Sequence, residues 1–183
     1  MSHPPDDTSD TLRAWQALTA DEAGSLLERL RDSGPPSPAL IRQLRRDWPA
    51  EVVAAAVQLS LARARSEAKF PGHSELWSDV TGLEQASSKV TAEWKADRFR
   101  EAGATSIDDL CCGVGGDAMS LARVAPVRAV DLDPVRAWMA ARNAGCDGVV
   151  ADVSSWSVEK RFIHVDPARR ESGSGRRVWN PED

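Results

Sequence analysis

The sequence predicts an α/β fold, an open parallel sheet preceded by an N-terminal helical lobe, and three observations carry that prediction. From residue 103 onward, short apolar runs alternate with helix-like patterns. A glycine-rich turn, "DLCCGVGGDA", joins the first apolar run to the first of those helices. The earlier part of the chain carries only helical periodicity, punctuated by caps and prolines. Strands that alternate with helices call for parallel pairing through right-handed crossovers, because each helix returns the chain to the end of the sheet where the next strand begins.

Residues 1–10, "MSHPPDDTSD", are polar and rich in Pro and Asp, and read as a disordered tail. Residues 11–70 read as a helical accessory region. Thr19 and Glu22 have the spacing of a capping box, Leu26, Leu27 and Leu30 supply an apolar stripe, and Gly34-Pro35-Pro36 stops the helix. Ser37-Pro38 opens a second helix that turns Leu40, Ile41, Leu44 and Trp48 inward. Pro49 suits the first turn of a third, in which Val53, Ala56, Val57 and Leu61 recur at helical spacing. "PGHSELWSDVTG" reads as a linker. Beyond it, Leu83 to about Ala102 reads as one helix, with Leu83, Ala86, Val90, Trp94 and Phe99 on a shared face. Within residues 71–183, strands are expected near 106–110, 127–131, 148–151 and 161–165, and helices at 117–124 and 134–144.

With 42% hydrophobic and 28% charged residues, and no apolar run near the ~18 residues of a membrane span, the composition is that of a globular protein with no membrane partner. No basic and apolar leader opens the chain. Cys111, Cys112 and Cys146 make no disulfide framework and, with His164, no metal-ligand spacing, so no metal is expected and the compartment reads as reducing, hence cytoplasmic. A net charge of -5 excludes a surface coated in basic residues, so a nucleic-acid partner needs a local patch. Arg161, Arg169, Arg170, Arg176 and Arg177 supply either that patch or an ordinary solvated terminus.

The glycine turn carries the chemistry. Gly113, Gly115 and Ala118 satisfy G-x-G-x-x-A, a pattern shared by nucleotide-binding turns and by tight strand-to-helix turns that bind nothing. The neighbouring acids narrow the choice. Asp131 ends the second apolar run, where a carboxylate can accept both hydroxyls of a ribose. Asp109 precedes the glycines, where it suits a cationic amino-acid moiety and repels a pyrophosphate. Asp152 follows the third run, placed for the exocyclic amine of an adenine. Three strands that end in acids at one edge of a parallel sheet converge on the crevice where such folds bind ligands. Asp133 reads as the N-cap of the next helix, with Pro134 at its first position and Gly145 past its end. Cys111 and Cys112 read as small apolar residues behind the turn, and Trp138 and Met139 as helix core.

The succession "DLCCGVGG", "AVDLDP", "VVADV" and "VDPARR" resembles the Rossmann-like class I S-adenosylmethionine-dependent methyltransferases. Within them it resembles bacterial methyltransferases with a C-terminal THUMP-like domain and, more distantly, the trimethylguanosine synthase group of RNA cap guanine-N2 methyltransferases. "ARARSEAKF" and "GLEQASSKVTAEWKADRF" are similar to the upstream region of the THUMP-like family. The resemblance implies S-adenosyl-L-methionine as cofactor and makes 71–183 its binding domain. Asp109, Gly113 and Gly115 would meet the methionine and ribose, Asp131 the ribose hydroxyls and Asp152 the adenine.

In amino-directed members of that group, the fourth strand ends in Asn or Asp, Pro, Pro and an aromatic that stacks on the base. Here Asp166-Pro167-Ala168-Arg169 keeps the first two residues and lacks the aromatic. The resemblance therefore implies Asp166 and Pro167 as the catalytic pair, with Arg169 and Arg170 free to meet RNA phosphate or to stack by their guanidinium planes. RNA, methylated at a base nitrogen, is the implied substrate. Since the family's sheet continues past a fourth strand, the sequence is expected to be the N-terminal half of a longer enzyme: a truncated product, an expression fragment, or half of a split protein. Such a half is expected to self-associate or to be completed in trans. The alternative function is a non-catalytic module that binds the cofactor or a partner. A nicotinamide-dependent oxidoreductase comes third, opposed by Asp109 and Asp152.

Overall fold

A computed structural model describes residues 7–157 and 162–167. Four short strands form one sheet: β1 (Ile107–Leu110), β2 (Val127–Asp131), β3 (Asp147–Val150) and β4 (Phe162–Val165). The order is β3-β2-β1-β4 and every pairing is parallel, as the alternation of strands and helices predicts. Each predicted strand lies within a residue or so of its expected place.

All four residues of β1 are buried, so the central strand is covered on both faces. Two of them are acids, and a carboxylate in such a place needs partners. Asp108 finds them on the neighbouring strand. Its register partner on β2 is Arg128, whose guanidinium donates two hydrogen bonds to the carboxylate, at 2.8 and 2.7 Å. The Trp156 indole adds a third at 3.2 Å and stacks against the same guanidinium. Asp109 points to the opposite face, as strand alternation requires, and is treated with the site below.

The helices differ more from expectation. The first, α1 (Asp7–Ala17), begins inside the expected tail and buries Ala14 and Trp15, with Leu18 buried just past its end. The capping box expected at Thr19 and Glu22 does not form. The Thr19 hydroxyl instead donates to the Gln16 carbonyl, closing the turn that ends α1, and α2 (Ala23–Asp32) starts from Glu22 without a side-chain cap. α3 (Pro38–Leu44) is capped by Ser37 as expected, and α4 (Ala50–Ser66) starts directly after Pro49.

The helix expected over 83–102 is two helices, α5 (Val80–Gln85) and α6 (Lys89–Glu101). Ala86 is extended, and the Ser88 side chain accepts from the Thr91 amide to start α6 afresh. The break rotates α6 relative to the expected face. Val90 and Trp94 are exposed (77% and 64%), and Ala92 and Ala96 are the buried residues. The helix after the glycine turn, α7 (Ala118–Leu121), is shorter than expected. It tightens into turns before Pro126, whose ring disfavours helix at Ala125. α8 (Pro134–Ala144) matches its prediction at both ends.

The N-terminal helices pack directly on the sheet domain. Leu26, Leu30, Leu44, Val53 and Leu59 share one core with Val114 of the glycine turn and with Val135 and Met139 of α8. Trp138 lies at the rim of that core, its ring edge-on to Trp77 at 5.1 Å. The intervening "linker" is bolted to α8. Asn143 accepts from the Trp77 amide and donates to the carbonyls of Trp77 and Val114, each at 2.8 Å. Asp79 caps α5 and takes a two-pronged contact from Arg136. Among the described residues no helix is long and apolar enough to cross a membrane.

Trp15 tests the packing of the unexpected α1. Because its side chain is 6% exposed within the shared core, Trp15→Ala is expected to cost about 3 kcal/mol, read as a lower urea midpoint of the full chain.

Candidate functional site at the carboxyl edge of the sheet

The turn from β1 to α7 is built from left-handed backbone. Cys111, Gly113 and Gly115 have φ of 59, 55 and 83°. Cys111 is the non-glycine residue with positive φ among the described residues, a conformation that costs a side-chain-bearing residue energy and is retained where the surroundings hold it. The two glycines answer different constraints. A Cβ on Gly115 would lie 2.7 Å from the Ala140 Cα of α8, so its hydrogen lets the turn touch the helix. A Cβ on Gly113 would meet nothing within 4 Å. Among the described residues nothing is packed beside Gly113.

Asp131, at the end of β2, ties this turn down. Its Oδ2 accepts from the Gly113 amide at 2.9 Å and its Oδ1 from the Asp133 amide at 3.0 Å. Asp133 in turn accepts from the Val135 amide at 2.8 Å and caps α8, with Pro134 in the first turn and Gly145 left-handed past its end. Asp152, beyond β3, is exposed. It caps the single 3-10 turn Val153–Ser155 through the Ser154 amide at 2.9 Å, and those bonds hold its pKa below the usual carboxylate range.

Around the ends of β1 and β4 lies a chain of charges. Asp109 and His164 are register partners, and Asp109 Oδ1 sits 2.7 Å from His164 Nδ1. Burial raises the Asp109 pKa, opposed by the imidazole. For His164, burial alone would lower it, but the Asp109 carboxylate outweighs burial and the value ends raised. The carboxylate that follows the glycines, Asp117, is buried and lies 4.0 Å from His164 Nε2. The Lys95 ammonium, from α6, then spends its three protons on Asp117 (2.9 Å), Ser87 (3.0 Å) and Asp166 (3.0 Å). Burial would lower the Lys95 pKa, but the bonds to Asp117 and Asp166 prevail and raise it.

Asp166 is half-exposed at the mouth of this chain, and Pro167 beside it is exposed. Arg169 and Arg170 lie outside the described residues, as do Arg161, Arg176 and Arg177. Asp117, His164 and Asp166 each bring one ligand-type atom within 4.8 Å of the others. The Lys95 ammonium already makes the contact to both carboxylates that a metal cation would make, and none of the three is assigned to a metal. The thiols are not poised as nucleophiles. Burial raises all three, Cys146 to about 11. A groove of about 390 Å³ between His73, Trp77, Met119 and Arg142 includes none of the strand-end carboxylates.

The structure thus brings Asp109, Gly113, Asp131 and Asp166 to one edge of the sheet, with Asp152 beyond the neighbouring strand. It adds Lys95, Asp117, Ser87 and His164, which the sequence reading missed. The signal for Asp117 was its place directly after Gly115-Gly116. His164 becomes meaningful only once β4 is known to lie against β1, and Lys95 only once the break at Ala86 has turned α6.

No protein-family model matches the chain. It is similar to an uncharacterized S-adenosylmethionine-dependent methyltransferase of Mycobacterium tuberculosis, in strains CDC 1551 and H37Rv alike. Identity is 32% over 133 residues, covering 66% of this chain and 36% of the relative. The chain therefore spans little more than a third of the length of the curated relatives it matches. Its fold is similar to the crystal structure of a candidate methyltransferase from Porphyromonas gingivalis W83, with a TM-score of 0.53 and 24% identity over 93% of this chain and 43% of that one. The expected Rossmann-like α/β fold is borne out by that likeness.

The two neighbouring acids of β2 and α8 are separable by stability. Asp133→Ala removes one cap and is expected to cost about 1 kcal/mol. Asp131→Ala strands two backbone amides and is expected to cost about 2 kcal/mol. Urea melts of the two variants check the order.

Proposed function

We propose that the chain is the cofactor-binding part of a class I S-adenosyl-L-methionine-dependent methyltransferase that acts on RNA at a base nitrogen. One observation carries the reading: at the carboxyl edge of a parallel sheet, a left-handed glycine turn beside open space is flanked by an acid with an orphaned buried oxygen, Asp109 Oδ2, and by the turn-locking Asp131. The orphaned oxygen suits an ammonium, and the open side of Gly113 suits close approach of a ligand to backbone. The named relatives, described as S-adenosylmethionine-dependent, support the same cofactor.

When bound, that cofactor supplies an electrophilic methyl group, and the chemistry left to the protein is binding and alignment. Asp109 would hold the ammonium end, Gly113 and Gly115 would admit the ligand to the turn, Asp131 would take the ribose and Asp152 the adenine. Asp131 already spends both oxygens on amides, and a carboxylate oxygen has a second lone pair for a hydroxyl. On the acceptor side, Lys95 holds Asp166 by Oδ2 and leaves Oδ1 without a partner among the described residues, free to accept a proton from an incoming amine. Pro167 keeps the backbone there extended. Arg169 and Arg170 would supply the phosphate contacts or the stacking surface that the missing aromatic does not. The three unpaired cysteines support a cytoplasmic protein.

A second reading, a non-catalytic module that binds cofactor or partner, is favoured by the absent aromatic after Pro167. Radiolabelled methyl transfer onto total RNA separates the two. Calorimetry tests what they share: S-adenosylmethionine or its demethylated product is expected to bind in preference to NAD, and Asp131→Ala to weaken that binding by about 2 kcal/mol. NAD binding without a response to the sulfonium would overturn both.

The resemblance to longer methyltransferases supports a further expectation. Among the described residues β4 has a strand on one side only, and an edge of open donors and acceptors invites association. The 183-residue chain is expected to self-associate and to transfer methyl groups at background rate, with residues supplied in trans restoring turnover. Sedimentation and the transfer assay check this; a monodisperse monomer with robust turnover would contradict it.

A further inference from the structure

The pair Asp109 and His164 has a feature that packing does not account for. The side chains are 2% and 10% exposed, and Asp109 Oδ1 is satisfied by His164 Nδ1 at 2.7 Å. Asp109 Oδ2 is buried and has no partner among the described residues. A buried carboxylate with one oxygen bonded to an imidazole and the other bonded to nothing is half of a cation site. The surrounding charges do not complete it. Asp117, after the glycine turn, faces His164 Nε2 and adds another negative charge; Lys95, from α6, is committed to Asp117, Ser87 and Asp166. Cys111 and Cys112 of the turn and Cys146 before β3 stay neutral thiols, since burial, and with it the nearby carboxylates, raises them. On its remaining side the imidazole meets the Phe99 ring, 6.3 Å between centroids.

We propose that His164 is a positioning residue for the ammonium of the ligand: it fixes Asp109 through Oδ1, leaves Oδ2 to the ammonium, and releases its own proton to solvent as the ligand binds. The proposal rests on the reading of the chain as a binder of S-adenosylmethionine. Its physical basis is competition for one negative charge. Without ligand, Asp109 holds the imidazole pKa up against burial. An ammonium at Oδ2 would draw on the same carboxylate and repel an imidazolium, so the His164 value falls in the complex. Below both values His164 stays protonated throughout and affinity is low and flat. Between them, binding expels a proton and affinity climbs with pH. Above both, affinity is high and flat.

The test is calorimetry on the full chain with two ligands, S-adenosylhomocysteine, which has the ammonium, and 5′-methylthioadenosine, which lacks it. Between about pH 6 and 8, where an imidazole titrates, the first is expected to tighten roughly tenfold. Two buffers of unlike ionisation enthalpy are expected to report release of up to about one proton. Methylthioadenosine is expected to bind with an affinity independent of pH. His164→Asn keeps an N–H donor for Asp109 Oδ1 but cannot titrate, and is expected to bind S-adenosylhomocysteine without pH dependence. The proposal is overturned if the wild-type chain shows no slope and no proton release, if methylthioadenosine shows the same slope, or if His164→Asn retains it, which would assign the proton to another group. Should His164→Asn not fold, the contrast between the two ligands on the wild-type chain decides alone. If neither ligand binds the wild-type chain, the cofactor reading itself has failed and the role of His164 goes with it; binding of both without a slope fails His164 only.

Discussion

The Asp131 carboxylate lies between two backbone amides, that of Gly113 in the turn after β1 and that of Asp133 at the start of α8, and the geometry of the whole edge follows from that bridge. The turn carries three left-handed residues within five positions. Such a segment has no regular ladder of its own, and Asp131 holds it together with the bond of the Cys112 amide to the Val130 carbonyl and that of Asn143 to the Val114 carbonyl. By accepting from both sides, Asp131 fixes the turn relative to α8. Gly115 then lets the same helix come close enough that no side chain fits between them. Turn, helix and strand end are therefore one unit, and the open side of Gly113 is the side on which no described residue is packed.

α8 extends that unit into the helical lobe. Arg136 reaches back to the cap of α5, Asn143 stitches the segment at Trp77 to the turn at Val114, and Met139 lies in the core built by α1, α2 and α4. Polar contacts of this kind add little net stability, because each group gives up water to make them. Their effect is selective. A slipped register between β1 and β2 would leave Asp108, which is fully buried, without Arg128, at several times the cost of the bond itself. The Lys95 contacts extend the same logic to the β1–β4 end of the sheet, where one ammonium sets the spacing of two carboxylates.

Much of this was legible in the sequence, and the exceptions have physical causes. The strands and α8 were readable because each carries its own local signal: a short apolar run, or Asp133-Pro134 at one end and Gly145 at the other. Thr19 misled because a hydroxyl can close the turn behind it as readily as cap the helix ahead. The 83–102 segment misled because Ser88 is as good a cap as any loop residue, and a cap outweighs weak periodicity. α1 was missed because its polar first turn resembles a tail, although Leu12, Trp15 and Leu18 are spaced for a helix face. At the site, the acids that end strands were visible one by one. What stayed hidden were the side-chain contacts between distant segments, His164 with Asp109 and Lys95 with Asp117 and Asp166, since a strand order does not say which side chains meet across it.

The shared core of α1 and α8 also bears on how the chain acquires its structure. Trp15 and Leu18 are buried against residues near the opposite end of the described chain, Val135 and Met139. Every strand pairing is parallel and so spans a crossover. Contacts this distant in sequence are closed late and slowly, because the loop entropy is lost before the contact is gained. On a ribosome, the helices of the lobe emerge before α8, and the part of their core that Val135 and Met139 cover stays open until α8 has been synthesised. The lobe precedes α8 in the chain and is completed only with it.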